Sequence, residues 1–331
     1  MPHKLFPTLL ALLLVISGCH RSPASAPREV ILYTSVDEPV FRPILDGFTV
    51  RTGIKVLVKT DAEAAKTAGL VETLRAERAN PQADVFWDNE VFHMINLGDD
   101  GVLAPYQSPA ARDIPPQFKD AGGRWASDGL RIRMIAVGRK GEQVTTLEQL
   151  TDPALKGRIG MANPAFGTTS GHVAALFVLW GQPRAEKFLR DLKANDVKLL
   201  GGNGEVVKQV AAGNLYAGLT DNDDIDSMLR EGGELKGVPA RTKDDPGALA
   251  IPVSVALING AKHPDEAKTL IDYLLSPEVE RKLIDAKFTR IGVRHTAAGD
   301  TIPVMKVDYT QVARTMPKAV DSARKILEGR E

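Results

Sequence analysis

Thiols are all but absent from this chain: Cys19 is the single cysteine in 331 residues. No intramolecular disulfide can form, and no cysteine-ligated metal site can be assembled. An excess of either charge is lacking too. Lysine and arginine together number 42, against 42 aspartates and glutamates. No segment carries a basic stripe, which argues against a nucleic-acid partner. Histidines are few and scattered: His93, His172, His263 and His295 show no HxxxH or HExxH spacing for a transition-metal site. The G-x-S-x-G of a nucleophile elbow is missing as well. Beyond residue 16, no apolar run approaches the roughly 20 residues needed to cross a bilayer.

What is present begins at the amino terminus. His3 and Lys4 precede LLALLLVI at residues 9–16, then Ser17-Gly18-Cys19. A basic start, a short apolar run and small residues form an export signal, here residues 1–18. Ile16-Ser17-Gly18-Cys19 also resembles a bacterial lipobox, which implies a lipid on Cys19 and a membrane anchor outside the cytoplasm. Residues 19–28 are rich in Ser, Ala and Pro without periodicity, so they read as a flexible tether. Hydrophobic residues make up 43% of the chain, enough for a sizeable core, and the remaining roughly 300 residues fit two domains.

Strand, polar loop and helix then repeat. Residues 29–33 (EVILY), 54–58 and 83–87 (ADVFW) read as strands. Each of the first and third runs into a polar loop, Thr34 to Glu38 and Asp88-Asn89-Glu90. A helix follows the first loop, with Val40, Phe41, Ile44, Leu45 and Phe48 on one face and Gly53 to stop it, and another spans 62–79. Residues 130–137 (LRIRMIAV) alternate as a strand. The pattern restarts with strand 158–161, helices 168–180 and 183–195, strand 197–200 and helix 205–212. A short strand at 215–219 ends in Asp221, Asp223, Asp224 and Asp226, followed by a helix at 225–230. Residues 248–258 form another long apolar strand, and helices follow at 264–275, at 277–286 and near the carboxyl end. Repeated strand–helix units predict a parallel α/β sheet. Two long strands bracketing the middle block predict two lobes joined by crossover strands: 29–130 with 250–295, and 131–249 with 296–331. The ligand then sits between them.

Three polar loops after strands supply candidate ligand groups: Ser35, Asp37 and Glu38; Asp88, Asn89 and Glu90; and Asp221, Asn222, Asp223 and Asp224; Asn203 is a further candidate. Ligands of open α/β sheets gather at such carboxyl ends. Asp223 and Asp224 equally suit the first turn of a helix, whose amino end attracts negative charge. Thr168, Thr169 and Ser170 open a helix whose unpaired N–H groups and hydroxyls offer an anion site, or simply a cap. Clustered carboxylates repel one another unless a cation or donors compensate, so a positively charged ligand group is favoured. Trp87 offers an aromatic face for an organic ammonium or a packing residue for the core. Arg131 and Arg133 lie on the crossover strand, within reach of an anion or of the acids themselves.

The segments YTSVDEP, ADVFWDNE, KGRIGMANPAFGTTSGH, GNGEVVKQVAAGNLYAGLTDNDD and HPDEAKTLIDYLLSPEVERKL, in that order, resemble the bacterial solute-binding proteins of ABC importers, nearest to their ferric-ion-binding branch. The resemblance implies a two-lobed type II periplasmic-binding-protein fold, an α/β architecture in which each lobe is a mixed, mostly parallel sheet flanked by helices. It also implies delivery of the ligand to an inner-membrane permease by a monomer without cofactor, any metal being cargo. Asp37 matches the branch's metal-ligating His, Asn89 its ligating Glu, and Asp223-Asp224 its adjacent pair of tyrosines. Asp37, Asp223 and Asp224 are thus the metal candidates, an all-carboxylate set suited to hard cations. Thr168, Thr169 and Ser170 match its anion-holding residues. Iron(III), with or without an anion, is the first ligand expectation, and a small cationic or zwitterionic solute such as an amine, aminophosphonate or amino acid is the second. A secreted hydrolase built on the acids and a purely structural surface lipoprotein are the remaining alternatives.

Overall fold

The computed structural model describes residues 28–61, 68–294 and 302–329. The export signal, Cys19 with most of the tether, His295 and the start of the helix predicted over 62–79 lie outside the described residues. Strand β1 (Glu29–Thr34) leads into helix α1 (Glu38–Thr52). The apolar stripe Phe41, Ile44, Leu45 and Phe48 is buried as its spacing predicts, and Gly53 ends the helix in the left-handed region at φ 70°. Strand β2 (Lys55–Thr60), helix α2 (Ala68–Ala76), strand β3 (Val85–Asp88) and helix α3 (Phe92–Asp99) follow, then the short β4 (Leu103–Ala104). β1 pairs in parallel with both β2 and β3.

The long strand β5 (Ala126–Val137) is buried along all its 12 residues. Beyond it come β6 (Ile159–Ala162), α4 (Gly167–Trp180), α5 (Gln182–Ala194), β7 (Lys198–Leu200), α6 (Asn203–Ala211), β8 (Ala217–Asp221), α7 (Asn222–Arg230) and β9 (Lys236–Pro239). β6 pairs in parallel with β7 and β8. The strand at 236–239 has no counterpart in the sequence reading. It bonds β5 from the sheet edge, where its closing proline is tolerated.

β5 and β10 (Ala250–Ile258) tie the two parallel sets together. β10 runs antiparallel to β3, with Ser254 opposite Asp88, and to the first half of β5. The second half of β5 turns to β8, with Arg133 opposite Asp221. The strand order is β2-β1-β3-β10-β5-β8-β6-β7. This arrangement points the carboxyl ends of β1 and β3 toward those of β6 and β8. Facing tips of that kind are where an α/β protein collects ligands.

Helices α8 (Pro264–Leu274) and α9 (Pro277–Asp285) pack near β1, β10 and β5, while α10 (Tyr309–Glu328) lies over α4 and α5 and also touches α3. α4 is buried from Thr168 to Phe177, so it is a core helix apolar on nearly all sides. Its Gly171 sits hard against α3: a Cβ there would stand 2.1 Å from the Phe92 ring. Among the described residues, no helix is long and apolar enough to cross a membrane.

Candidate functional site

β8 does not stop before its acids. It runs to Asp221, and α7 begins at Asn222 rather than at 225, which carries Asp223 and Asp224 into the first helical turn. The reason lies in β5. Its alternation places Arg131 and Arg133 on one face, and both guanidiniums reach the β8 tip. Arg133 Nη1 is 2.7 Å from Asp221 Oδ1. Arg131 Nη2 is 3.0 Å from Asp221 Oδ2 and donates to both Asp223 oxygens, at 2.7 and 2.8 Å. Arg131 Nε adds a bond of 3.1 Å to Asp223 Oδ1. These pairs supply the counter-charge that lets the acids be buried. Asp221 is the hub: Thr168 Oγ1 donates to it at 2.5 Å and Asn203 Nδ2 at 2.9 Å.

A cavity of about 40 Å³ opens beside this network. Its wall includes Asn89, Arg131, Thr168, Asn203, Asp221 and Asp224. Of the groups expected from the sequence, Asn89, Thr168, Asn203, Asp221 and Asp224 thus converge. Arg131 was placed within reach of an anion or of the acids, and the acids are what it pairs with, through Nη2 and Nε; its Nη1 is buried without a hydrogen-bond partner. The amino ends of two helices, α4 at Gly167 and α6 at Asn203, meet the same cavity. Gly167 holds φ 57° at the first position of α4, a left-handed turn that glycine adopts without strain. The cavity was legible in part only, since its backbone wall at Ala162, Asn163 and Gly201 to Gly204 carries few side-chain signals.

A second recess of about 160 Å³ is lined by Thr34, Ser35, Asp37, Glu38, Thr60 and Asp61. The sequence reading missed Asp61, because nothing in its own stretch signals that β2 ends beside β1. The two spaces adjoin through Ser35 and Asn89: Asn89 N donates to Ser35 Oγ at 2.9 Å. The negative charge of Asp37 also acts on Asp223 across the gap.

Several expected ligand groups are instead bound within the protein. Asp88 is fully buried and accepts the Ser35 hydroxyl. Glu90 is buried as well and accepts the backbone N–H groups of Phe92 and His93, at 2.8 and 2.9 Å, capping α3. Asn222 accepts from Ile132 N at 2.8 Å and donates to the Phe288 carbonyl at 3.2 Å, a clip between β5 and the chain after α9. Ser170 Oγ bonds back to the Gly167 carbonyl at 2.6 Å, away from the cavity, and Thr169 reaches Asn203 only at 3.4 Å. Thr168 does not cap α4; it follows the first residue and turns its hydroxyl to Asp221. Glu38 pairs with Arg42 at 2.7 Å along its own helix. Trp87 is 0% exposed and donates to Asp128 at 2.8 Å, so its ring is a core element and offers no face to an ammonium.

Electrostatics follow from burial and these pairs. Asp221 would be pushed up by burial, but Arg133, Arg131 and Thr168 outweigh that and hold it below the usual range. Asp223, buried beside Asp221 and Asp37, is pushed up to about 6 despite Arg131. Burial disfavours the Arg131 charge, yet Asp223, Asp221 and Asp224 more than compensate and raise it. His172 is lowered to about 3 by burial and by Arg133. It is therefore neutral, and accepting from Arg133 Nε at 3.3 Å on Nδ1 places its proton on Nε2. Glu90 is raised well above its ordinary value by burial and by Asp88. Of the metal candidates, Asp223 and Asp224 fall with Asp221 into a group whose ligand atoms lie within 4.8 Å of one another, while Asp37 stands in the neighbouring recess.

Comparison with known proteins agrees with this fold. A family model for bacterial extracellular solute-binding proteins matches residues 30–288. The chain is 26% identical over 318 residues to the major ferric iron-binding protein of Neisseria meningitidis serogroup B, covering 93% of each. It is also 26% identical over 284 residues to a putative 2-aminoethylphosphonate-binding periplasmic protein of Salmonella paratyphi A, covering 82% of this chain and 81% of that one. Among solved structures, iron-bound HitA from Pseudomonas aeruginosa superposes with a TM-score of 0.80 at 25% identity, covering 91% of this chain and 99% of the other. The fold is accordingly the two-lobed α/β fold of type II periplasmic binding proteins. The chain belongs to the bacterial extracellular solute-binding protein family.

Proposed function

We propose that this protein is the extracytoplasmic binding component of an ABC importer, and that it captures a small zwitterionic solute between its lobes. The lobes are taken as 29–130 with 250–295 and 131–249 with 296–331. The observation that carries the reading is Arg131: it lines a cavity met by two helix amino ends, and its Nη1 is buried without a hydrogen-bond partner. Such a place favours an anionic group. A cavity of about 40 Å³ suits one compact tetrahedral head rather than a whole solute. Asp224 at its edge, and Asp37 and Asp61 in the adjoining recess, favour an ammonium at the other end. The aminophosphonate relative fits that chemistry.

Iron(III), with or without an anion, is the second reading. The ferric relatives and the grouping of Asp221, Asp223 and Asp224 favour it, and any metal is then cargo rather than cofactor. Under either reading the chain is a non-enzymatic monomer, held to a membrane by lipidated Cys19 and passing its ligand to an inner-membrane permease. Calorimetric titration of the metal-free protein separates the two. The zwitterion reading expects saturable binding of 2-aminoethylphosphonate, weakened about tenfold or more when the amine is removed, as in ethylphosphonate. Visible colour and stoichiometric iron in protein purified without chelator, with no heat from the phosphonate, would favour iron instead.

A further inference from the structure

We infer that Arg131 is a built-in counter-cation: its guanidinium fills the carboxylate group of Asp221, Asp223 and Asp224 and keeps hard metal ions out of the cleft. This rests on the zwitterion reading of the site and says how the protein distinguishes such a solute from a metal. Three carboxylates with ligand atoms within 4.8 Å are by composition a hard-cation site. Here Arg131 Nη2 lies 3.0 Å from one acid and 2.7 Å from the next, and it bonds both oxygens of Asp223. A metal ion would have to displace a guanidinium that is 4% exposed and stacked 5.2 Å from the centre of the Phe288 ring. The planar fork cannot lose its proton to make way.

The partnerless Nη1 completes the device. One edge of the guanidinium neutralises the acids and the remaining nitrogen is left for the solute's anionic head. The side chain thus excludes one ligand class and recruits another.

Terbium(III), a hard oxygen-seeking ion followed by its luminescence, tests this on the full mature chain without any other ligand. Wild type is expected to give no saturable terbium signal at this cleft. Arg131→Met, of similar reach but without charge, is expected to gain a site at least about tenfold tighter than any wild-type binding, a change of the size that neighbouring groups impose on metal affinity. Asp223→Asn added to Arg131→Met should remove the gain. Equal terbium binding by wild type and Arg131→Met overturns the inference, as does a folded Arg131→Met that binds none. Should Arg131→Met fail to fold, Arg131→Gln decides: its neutral amide supplies no counter-charge to Asp221 and Asp223, so it should bind terbium more tightly than wild type, and equality overturns the proposal. The same preparations titrated with 2-aminoethylphosphonate keep the two questions apart. Absence of phosphonate binding by wild type with the terbium pattern intact defeats the solute assignment alone, whereas terbium binding by wild type defeats the counter-cation alone.

Discussion

Asp223 holds its proton to about pH 6 because burial and the neighbouring Asp221 and Asp37 outweigh Arg131. An unfolded aspartate lets go near pH 3.8. The stability linked to Asp223 is therefore fully present below about pH 4 and is lost as pH rises to about 6. Asp223→Asn should flatten the urea midpoint over that window relative to wild type, and parallel curves for the two proteins would refute the assignment. Trp87 makes a different kind of contribution. Its indole N–H donates to one oxygen of Asp128, whose other oxygen is buried without a hydrogen-bond partner, and burial drives Asp128 well above its ordinary pKa. Trp87→Phe should cost about 1–3 kcal/mol in chemical denaturation, the penalty for stranding a buried polar group. Combining it with Asp128→Asn should change that penalty; additive losses would show that the two side chains do not act as a pair. Residue identity alone hinted at this much: two arginines two positions apart in an apolar strand must find acids or an anion. Which acid each would find was not legible, because the register of β5 against β8 is a long-range property.

At the scale of elements, the sequence located α8 and α9 to within a residue, and the buried stripe and the Gly53 stop of α1 are as read. The β8–α7 junction shifted because Asp221 is held in the strand by Arg133 and Thr168, a tertiary contact that local propensity does not contain. Glu90 and Asn222 likewise looked like ligand groups, and became a cap and a clip for the same reason. The contact of α3 with α4 is equally invisible in the chain, since Gly171 carries no pattern of its own. A methyl there would collide with Phe92 at 2.1 Å. Gly171→Ala should cost about 1–3 kcal/mol of stability through overpacking, read by denaturant midpoint; an unchanged midpoint would mean the two helices have room to separate. Phe92→Leu in the same background should restore part of the loss.

At the scale of the whole molecule, the facing carboxyl ends of β1/β3 and β6/β8, joined by the antiparallel β5 and β10, are suited to closing on a ligand. Binding of 2-aminoethylphosphonate should reduce the radius of gyration in small-angle scattering, as hinge closure requires. An unchanged radius at saturation would contradict closure. The two-lobed plan was legible because long apolar strands flank the middle block. The order of strands across the sheet was not, since pairing follows from three-dimensional packing.

The most direct measurement is a crystal structure of the full mature protein grown with 2-aminoethylphosphonate. The account predicts a phosphonate oxygen within hydrogen-bonding distance of Arg131 Nη1, beside the amino ends of α4 and α6, with the Arg131–Asp223 pair intact. A metal ion bridging Asp221, Asp223 and Asp224 with Arg131 displaced, or a phosphonate bound away from this cavity, would contradict it.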